Sequence, residues 1–307
     1  MYEFSIIIPH KNSFDLLCRC ISSIPESDDI QVIVVDDNSD SSAVMKEDFL
    51  ALLQARSNVR YIETKEGRGA GFARNVALKH AIGKWLIFAD ADDYFVDNAW
   101  DVLQRYKDSA YDIIYLGIVS VNSETLEPVN RKFTYNCLIE NCDNVSENKI
   151  NLLKLRHDVP WGKMIKRELV VNNNIQFDET RYCNDTMFST KIGIQAKYIY
   201  ADSTPFYCVT FRPGSLVTHC SLEADSIRYQ VILRKNELLR ESGYSRYQLP
   251  LTSYLRKFYR YGLLSFIKAI SLGIRYKANF FIGFSRWPKI IYGRLFHKNI
   301  SYNLTNI

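Results

Sequence analysis

The chain has 307 residues, 47% hydrophobic and 24% charged, the balance of an ordinary globular protein with room for one large domain and an appendage. Its seven cysteines form no C-x-x-C pair and no Cys/His cluster at zinc spacing, which excludes a disulfide scaffold or zinc ribbon and leads us to expect reduced thiols in the cytosol. The net charge of +5 is unevenly spread: residues 242–307 hold 11 Lys/Arg and no acid, and residues 1–241 hold 28 against 34 acids, so an anionic partner is expected for the tail and not for the body.

The opening Met1-Tyr2-Glu3-Phe4 lacks the basic start and long apolar stretch of a secretory signal. Phe4-Ser5-Ile6-Ile7-Ile8-Pro9 has the pattern of a buried strand stopped by proline. Ser13 is placed to cap a helix that carries Leu16, Leu17, Cys20, Ile21 and Ile24 on one face. Gln31–Val35 reads as a second strand ending in Asp36-Asp37-Asn38-Ser39. A helix to about Arg56 and a strand at Val59–Glu63 follow. The loop Glu66-Gly67-Arg68-Gly69-Ala70-Gly71 leads into a helix over Phe72–Ala81. The fourth strand, Trp85-Leu86-Ile87-Phe88, then runs into Ala89-Asp90-Ala91-Asp92-Asp93. This β-α-β-α-β-α-β alternation predicts a parallel sheet with helices on both faces. Its acidic loops would share the crevice at the carboxyl ends of the strands.

Beyond the acids, Asn98–Lys107 reads as a helix and Tyr111–Val121 as a strand. Residues 122–146 are polar and loop-like, with a strand near Phe133. Helices are expected at Glu147–Arg156, at Ile165–Asn172, and from Asn184 to about Gln195. Tyr198–Ala201 and Phe206–Phe211 read as two strands, Arg212-Pro213-Gly214-Ser215 as a turn, and Leu222–Glu241 as a long helix.

Three carboxylates within four positions repel one another. Magnesium or manganese, held by carboxylate and phosphate oxygens, removes that conflict; a solvated acidic turn is the ordinary explanation of a lone D-x-D. Asp37 suits either the imide N–H of a uracil-like base or a turn. Arg74, early in its helix, suits either a phosphate or an ion pair. Asn184-Asp185 fits a helix cap followed by a first-turn acid. Gly67, Gly69 and Gly71 do not follow the first strand, so the dinucleotide fingerprint fails, and they read as permitting a close or mobile loop.

In order and spacing, Ser5–Pro9, Val34–Ser39, Ala73-Arg74-Asn75 and Asp90–Asp93 resemble family 2 glycosyltransferases of the GT-A fold. The resemblance continues at Trp161-Gly162-Lys163, Asn173–Phe177, Asn184–Phe188 and Arg212–Ser215, and covers roughly residues 4–220. It implies an α/β, Rossmann-like, mixed but mainly parallel sheet over residues 1–220. A nucleotide-sugar half would reach to about 121 and an acceptor half would span 122–220, with a basic helical region at 221–307. It further implies donor-nucleotide contacts at Pro9, Asp37, Arg74, Asp90 and Asp92, Mn2+ or Mg2+ at Asp90, Asp92 and Asp93, and a catalytic base at Asp185. Trp161, Asn184, Arg212 and Ser215 would lie near the acceptor or diphosphate. Trp161 reads equally as a core tryptophan, and Arg212 and Ser215 as a structural turn. Where Asn184 stands the family usually has Glu, and losing that like charge would lower the pKa of Asp185 relative to the family pattern.

The implied activity is an inverting, metal-dependent transfer of a sugar from a nucleoside diphosphate, expected to be UDP, to a hydroxyl of a glycan or lipid-linked glycan in surface-polysaccharide synthesis. The alternatives are a non-catalytic sugar-nucleotide or glycan binder, and a nucleotidyltransferase. The latter calls for a glycine-rich, lysine-bearing loop where Pro9-His10-Lys11-Asn12 stands. In the tail, Tyr254–Tyr261 interleaves aromatic and basic residues. Lys268, Arg275, Lys277 and Arg286 interrupt every apolar run before the roughly 20 residues of a bilayer span. Residues 250–300 are therefore expected on an anionic membrane surface at the inner, cytoplasmic face, with a bundle packed on the body or on a second subunit as the alternative. No nucleic acid is expected.

Overall fold

The apolar run Phe4–His10 forms strand β1 and is buried at all seven positions, as befits a strand in a sheet covered on both faces. The computed structural model describes residues 2–40, 46–129, 133–211 and 220–282. The chain divides into two compact units, Met1–Ser215 and Leu216–Ile307.

In the first unit β1 is followed by α1 (Phe14–Ser22), β2 (Ile30–Asp37), α2 (Lys46–Ala55), β3 (Val59–Thr64), α3 (Ala70–Leu78) and β4 (Trp85–Phe88). Next come β5 (Tyr94–Phe95), α4 (Ala99–Tyr106), β6 (Ile113–Asn122), α5 (Phe133–Glu140) and α6 (Glu147–Arg156). The unit ends with β7 (Lys163–Lys166), α7 (Arg167–Asn172), α8 (Thr186–Gln195) and β8 (Ile199–Phe211). The sheet order is β3-β2-β1-β4-β7-β6-β8-β5. The first four strands are mutually parallel, so β1, β2 and β4 all end at one edge. β7 runs antiparallel between β4 and β6, β8 is parallel to β6, and β5 is antiparallel to β8. This is the mixed, mainly parallel α/β sheet expected.

Four details differ from the sequence reading. The segment from Phe133 is a helix, not a strand. Its Asn136 side chain brackets Ile118 of β6, accepting from Ile118 N at 3.0 Å and donating to Ile118 O at 2.6 Å, which pins a helix against the strand. Lys163–Lys166 is a strand, and the following helix starts only at Arg167. The short β5 was not foreseen. The two expected strands after Tyr198 are one, β8, because a register shift opposite Leu116 and Gly117 absorbs Asp202–Pro205. There the backbones approach so closely that a Cβ on Gly117 would overlap the Ser203 carbonyl.

The second unit holds α9 (Leu222–Glu241), α10 (Thr252–Arg260) and α11 (Leu263–Arg275). Ser221 caps α9, its Oγ accepting from Ala224 N at 3.1 Å. Tyr229, Leu233, Leu251, Phe258 and Ala269 form a separate small core. Buried Asp225 accepts from Lys257 Nζ at 2.8 Å and from the Tyr261 hydroxyl at 3.0 Å, tying α9 to the end of α10. No described helix is long and apolar enough to cross a membrane. The tail beyond Ile282, with Arg286, lies outside the described residues.

Gly117→Ala is expected to lower stability by about 1–3 kcal/mol through overpacking at the register shift. Urea unfolding measures this, and an unchanged midpoint would show that β8 yields at no cost.

Candidate active site

The carboxyl ends of β1, β2 and β4 carry the polar residues, as parallel sheets place them. At the β1 end, Pro9 sits within the buried strand. His10 Nδ1 lies 2.7 Å from Asp36 Oδ2, and both residues are buried. Asp36 also accepts from the Ser39 amide at 2.7 Å and its hydroxyl at 2.6 Å. Burial alone would raise the Asp36 carboxyl, but the bonds from His10 and Ser39 outweigh it and hold the carboxyl below its ordinary value.

Asp37 turns the other way. Its Oδ1 accepts from the Arg68 amide at 2.9 Å and its Oδ2 from the Gly69 amide at 2.6 Å. Gly67 and Gly69 have φ of +62° and +94°, the left-handed region that favours glycine. The glycines thus let successive N–H groups converge on one carboxylate. Arg68 also pairs with Glu179, which fastens the loop tip to the segment before α8.

The acid loop after β4 is clamped from three directions. The Tyr207 hydroxyl of β8 accepts from the Asp90 amide at 2.8 Å and donates to Asp93 Oδ2 at 3.0 Å. Asp93 Oδ1 accepts from Thr210 N at 2.7 Å. The Asp92 carbonyl accepts from Thr210 Oγ1 at 2.7 Å and from Arg19 of α1 at 2.6 Å. Asp93 is buried. Its enclosure, and then Asp92 and Asp90, push its carboxyl well above the usual range. The geometry therefore gives Asp93 the task of holding the loop, whereas Asp90 and Asp92 are partly exposed.

Arg74 joins the two sides of the crevice. One guanidinium nitrogen donates to Asp90 Oδ1 at 2.6 Å, another to Asn184 Oδ1 at 2.8 Å. The guanidinium lies 5.3 Å from the Phe177 ring centre, and its Nε is buried without an acceptor. Asn184 thus serves Arg74 as a neutral acceptor, where a glutamate would bring a charge. Its Nδ2 donates to Thr180 O, so its side chain does not cap α8. Asp185 occupies that N-cap position, and its side chain makes no capping bond. Burial raises the Asp185 carboxyl to about 6; Arg74 pulls down, while Asp90 and Asp158 add to the rise. Enclosure thus sets the direction of the shift from the ordinary carboxyl value.

Among the described residues, no group of three or more His, Cys, Asp or Glu side chains is gathered as for a metal ion. A hard divalent cation held by one or two carboxylates with substrate phosphates needs no such group. The donor set of Asp90 and Asp92 fits it: Asp90 spends Oδ1 on Arg74, and both residues are partly exposed.

Trp161 is a core residue. It is stacked on Tyr207 at 5.9 Å and edge-on to Tyr135 at 5.3 Å. Arg212 and Ser215 lie outside the described residues. The sequence reading missed Tyr207, Thr210 and Arg19. The available signal was Tyr207 itself, since a tyrosine inside a buried strand requires a partner for its hydroxyl.

The family model for glycosyl transferase family 2 matches residues 5–172. The poly(ribitol-phosphate) β-N-acetylglucosaminyltransferase TarS of Staphylococcus aureus is 27% identical over 224 residues, covering 70% of this chain and 36% of that protein. The chain thus spans about a third of that relative's length. The crystal structure of S. aureus TarS 1–349 with UDP-GlcNAc superposes with a TM-score of 0.64 at 21% identity, covering 88% of this chain and 79% of that one. The mannosyltransferase PcManGT of Pyrobaculum calidifontis, in complex with GDP-Man and Mn2+, gives 0.57 at 15% identity, covering 96% and 81%. At these identities the structural likeness shows the fold.

The raised carboxyl at Asp185 makes a stability prediction. The folded protein holds a proton that the unfolded chain releases between pH 3.8 and about 6, so ionising Asp185 costs stability as pH rises through that window. Asp185→Asn is expected to be more stable than the parent above pH 6 and to match it at the acid end. Urea midpoints across pH measure the difference, and parallel curves would contradict it.

Proposed function

The chain belongs to glycosyl transferase family 2, and on that premise we propose that it moves one sugar from a UDP-sugar to a hydroxyl of a glycan or lipid-linked glycan, with inversion at the anomeric carbon. The observation that carries the reading is the Arg74 fork. One buried guanidinium joins Asp90, on the donor side, to Asn184, the neighbour of the candidate base.

In this reading the donor diphosphate lies at the carboxyl ends of β1 and β4, facing Arg74. Asp37 accepts from the base while its loop bonds hold it in place; each carboxylate oxygen has lone pairs enough for both tasks. Asp90 and Asp92 would hold Mn2+ or Mg2+, which when bound offsets the charge gathering on the departing diphosphate. Asp185 takes the proton from the acceptor hydroxyl. The hydroxyl oxygen bonds to the anomeric carbon as that carbon's bond to the diphosphate oxygen breaks, releasing UDP. A carboxyl raised toward neutrality, and not spent on capping its helix, suits a general base. The likeness to TarS, a poly(ribitol-phosphate) β-N-acetylglucosaminyltransferase whose crystal structure holds UDP-GlcNAc, supports a UDP-sugar donor and a polymer acceptor. The setting we propose is the inner face of the cell membrane.

Incubation with a panel of nucleotide sugars and manganese, reading released nucleoside diphosphate, tests the class of reaction. EDTA and Asp92→Ala are each expected to abolish turnover with the fold kept. Full turnover in EDTA would remove the metal from this reading.

Asp185→Asn is expected to lower kcat by about two to four orders of magnitude with donor affinity retained. The parent should lose kcat/KM as pH falls through about 6, where Asp185 takes up its proton. A variant working at the parent's rate would place the base elsewhere.

A further inference from the structure

Helix α11 is built inside out. Of its 13 residues, those buried are the small Ala269 and Gly273. Four of its large aliphatics face outward: Leu263, Leu264, Ile267 and Ile274 are 65%, 66%, 54% and 64% exposed. At 100° per residue these four lie on one side of the helix, opposite Ala269 and Gly273.

The orientation is enforced by packing within this unit. The Tyr229 hydroxyl of α9 donates to Ala269 O at 3.1 Å. A Cβ on Gly273 would overlap the Phe280 ring. Small residues stand where α11 meets Tyr229 and Phe280, with Leu272 packed beside them, so rotating the helix to bury its outward leucines would drive side chains into Tyr229 and Phe280. Exposing four large aliphatics on one helix costs solubility and returns nothing to the fold.

The same pair of helices and the turn after α11 carry Arg256, Arg260, Lys268, Arg275 and Lys277, all exposed. Among the described residues none of the five pairs with a carboxylate. From Ser242 to the end of the chain there is no acid.

We propose that the α10–α11 surface docks on an anionic lipid bilayer, with Leu263, Leu264, Ile267 and Ile274 entering the acyl boundary and the five cations at lipid phosphates. Charge decides among the occupants. A second copy meeting the same face across a two-fold axis would set five cations against five. The chain beyond Ile282 carries four more Lys/Arg and no acid, so it repels the patch as well. Nucleic acid would satisfy the cations and leave the aliphatics in water. A bilayer of anionic lipids satisfies both, and a 13-residue helix suits lying in the interface, not crossing it. The inference concerns the C-terminal unit alone and does not depend on the proposed transfer reaction.

The test is co-sedimentation of the full chain with vesicles of phosphatidylcholine mixed with phosphatidylglycerol, against phosphatidylcholine alone, at low and high salt. Two double variants accompany it, Leu264→Glu with Ile267→Glu, and Lys268→Glu with Arg275→Glu. These positions are exposed, and circular dichroism checks that each variant folds. The parent is expected to pellet with the anionic vesicles at low salt and to be released by high salt. Each double variant is expected to lose at least about tenfold in vesicle affinity while keeping the parent's circular dichroism spectrum. The proposal is overturned if the parent fails to pellet at low salt, or if both variants pellet like the parent. It is also overturned if light scattering shows an oligomer that the Leu264→Glu, Ile267→Glu variant dissociates, for then a second copy covers the face.

Discussion

Burying Arg74 is the constraint on which the crevice depends. A guanidinium taken out of water loses hydration that must be replaced by well-placed acceptors. Here Asp90 and Asn184 replace it, across separations of 16 and 110 residues. The pair therefore does structural work: it holds α3 to the loop after β4 and to the start of α8. It also sets the electrostatics. Arg74 draws on Asp185 and Asp90 together, and with a neutral Asn184 as second partner, more of its charge remains for the two aspartates. A glutamate in that place would compete for the same guanidinium.

The acid loop illustrates how repulsion is contained. Three like charges cannot share a turn cheaply. The fold separates them by giving Asp93 to the interior, where Tyr207 and Thr210 hold it, and leaving Asp90 and Asp92 at the surface of the crevice. Tyr207 is the hinge of this arrangement, since one hydroxyl accepts from the first residue of the loop and donates to the last. The stack of Trp161 on Tyr207 then has a reason: it fixes the ring whose hydroxyl fixes the loop.

The first half of the chain was legible because its strands are continuous apolar runs cut off by polar loops, and each run is long enough to be read alone. β7 was not, because its apolar content is only Met164-Ile165 between two lysines, and its pairing with β4 and β6 is a tertiary fact. β8 was split because Asp202-Ser203-Thr204-Pro205 reads as a turn; only the shifted register beside Gly117 makes it strand. Around Phe133 no periodicity marked a helix, and the Asn136 bracket that holds it is a contact with a strand elsewhere in the sequence. The candidate site divides the same way. The acids, Arg74 and Asp185 carry their chemistry in their side chains and stand out in sequence. The clamp of Arg19, Tyr207 and Thr210 rests in large part on backbone atoms of the acid loop, and Tyr207 was its one signal in the sequence. Trp161, read either as a platform or as core, turned on burial alone.

The charge distribution makes the last connection. The body to residue 241 carries six more acids than basic residues, and at the crevice Arg74 faces Asp90 and Asp185, with Asp92 in the same loop as Asp90. An anionic diphosphate entering such a place meets repulsion from the acids, and Arg74 is already engaged with Asp90. Raised carboxyls at Asp93 and Asp185 are the response available to the protein alone: it takes up protons. On the proposed reading a divalent cation is the other response. It would lie between the crevice carboxylates and the diphosphate, and so offset their repulsion. On that reading the charge of the crevice argues for a cation as much as the acids proposed to bind it.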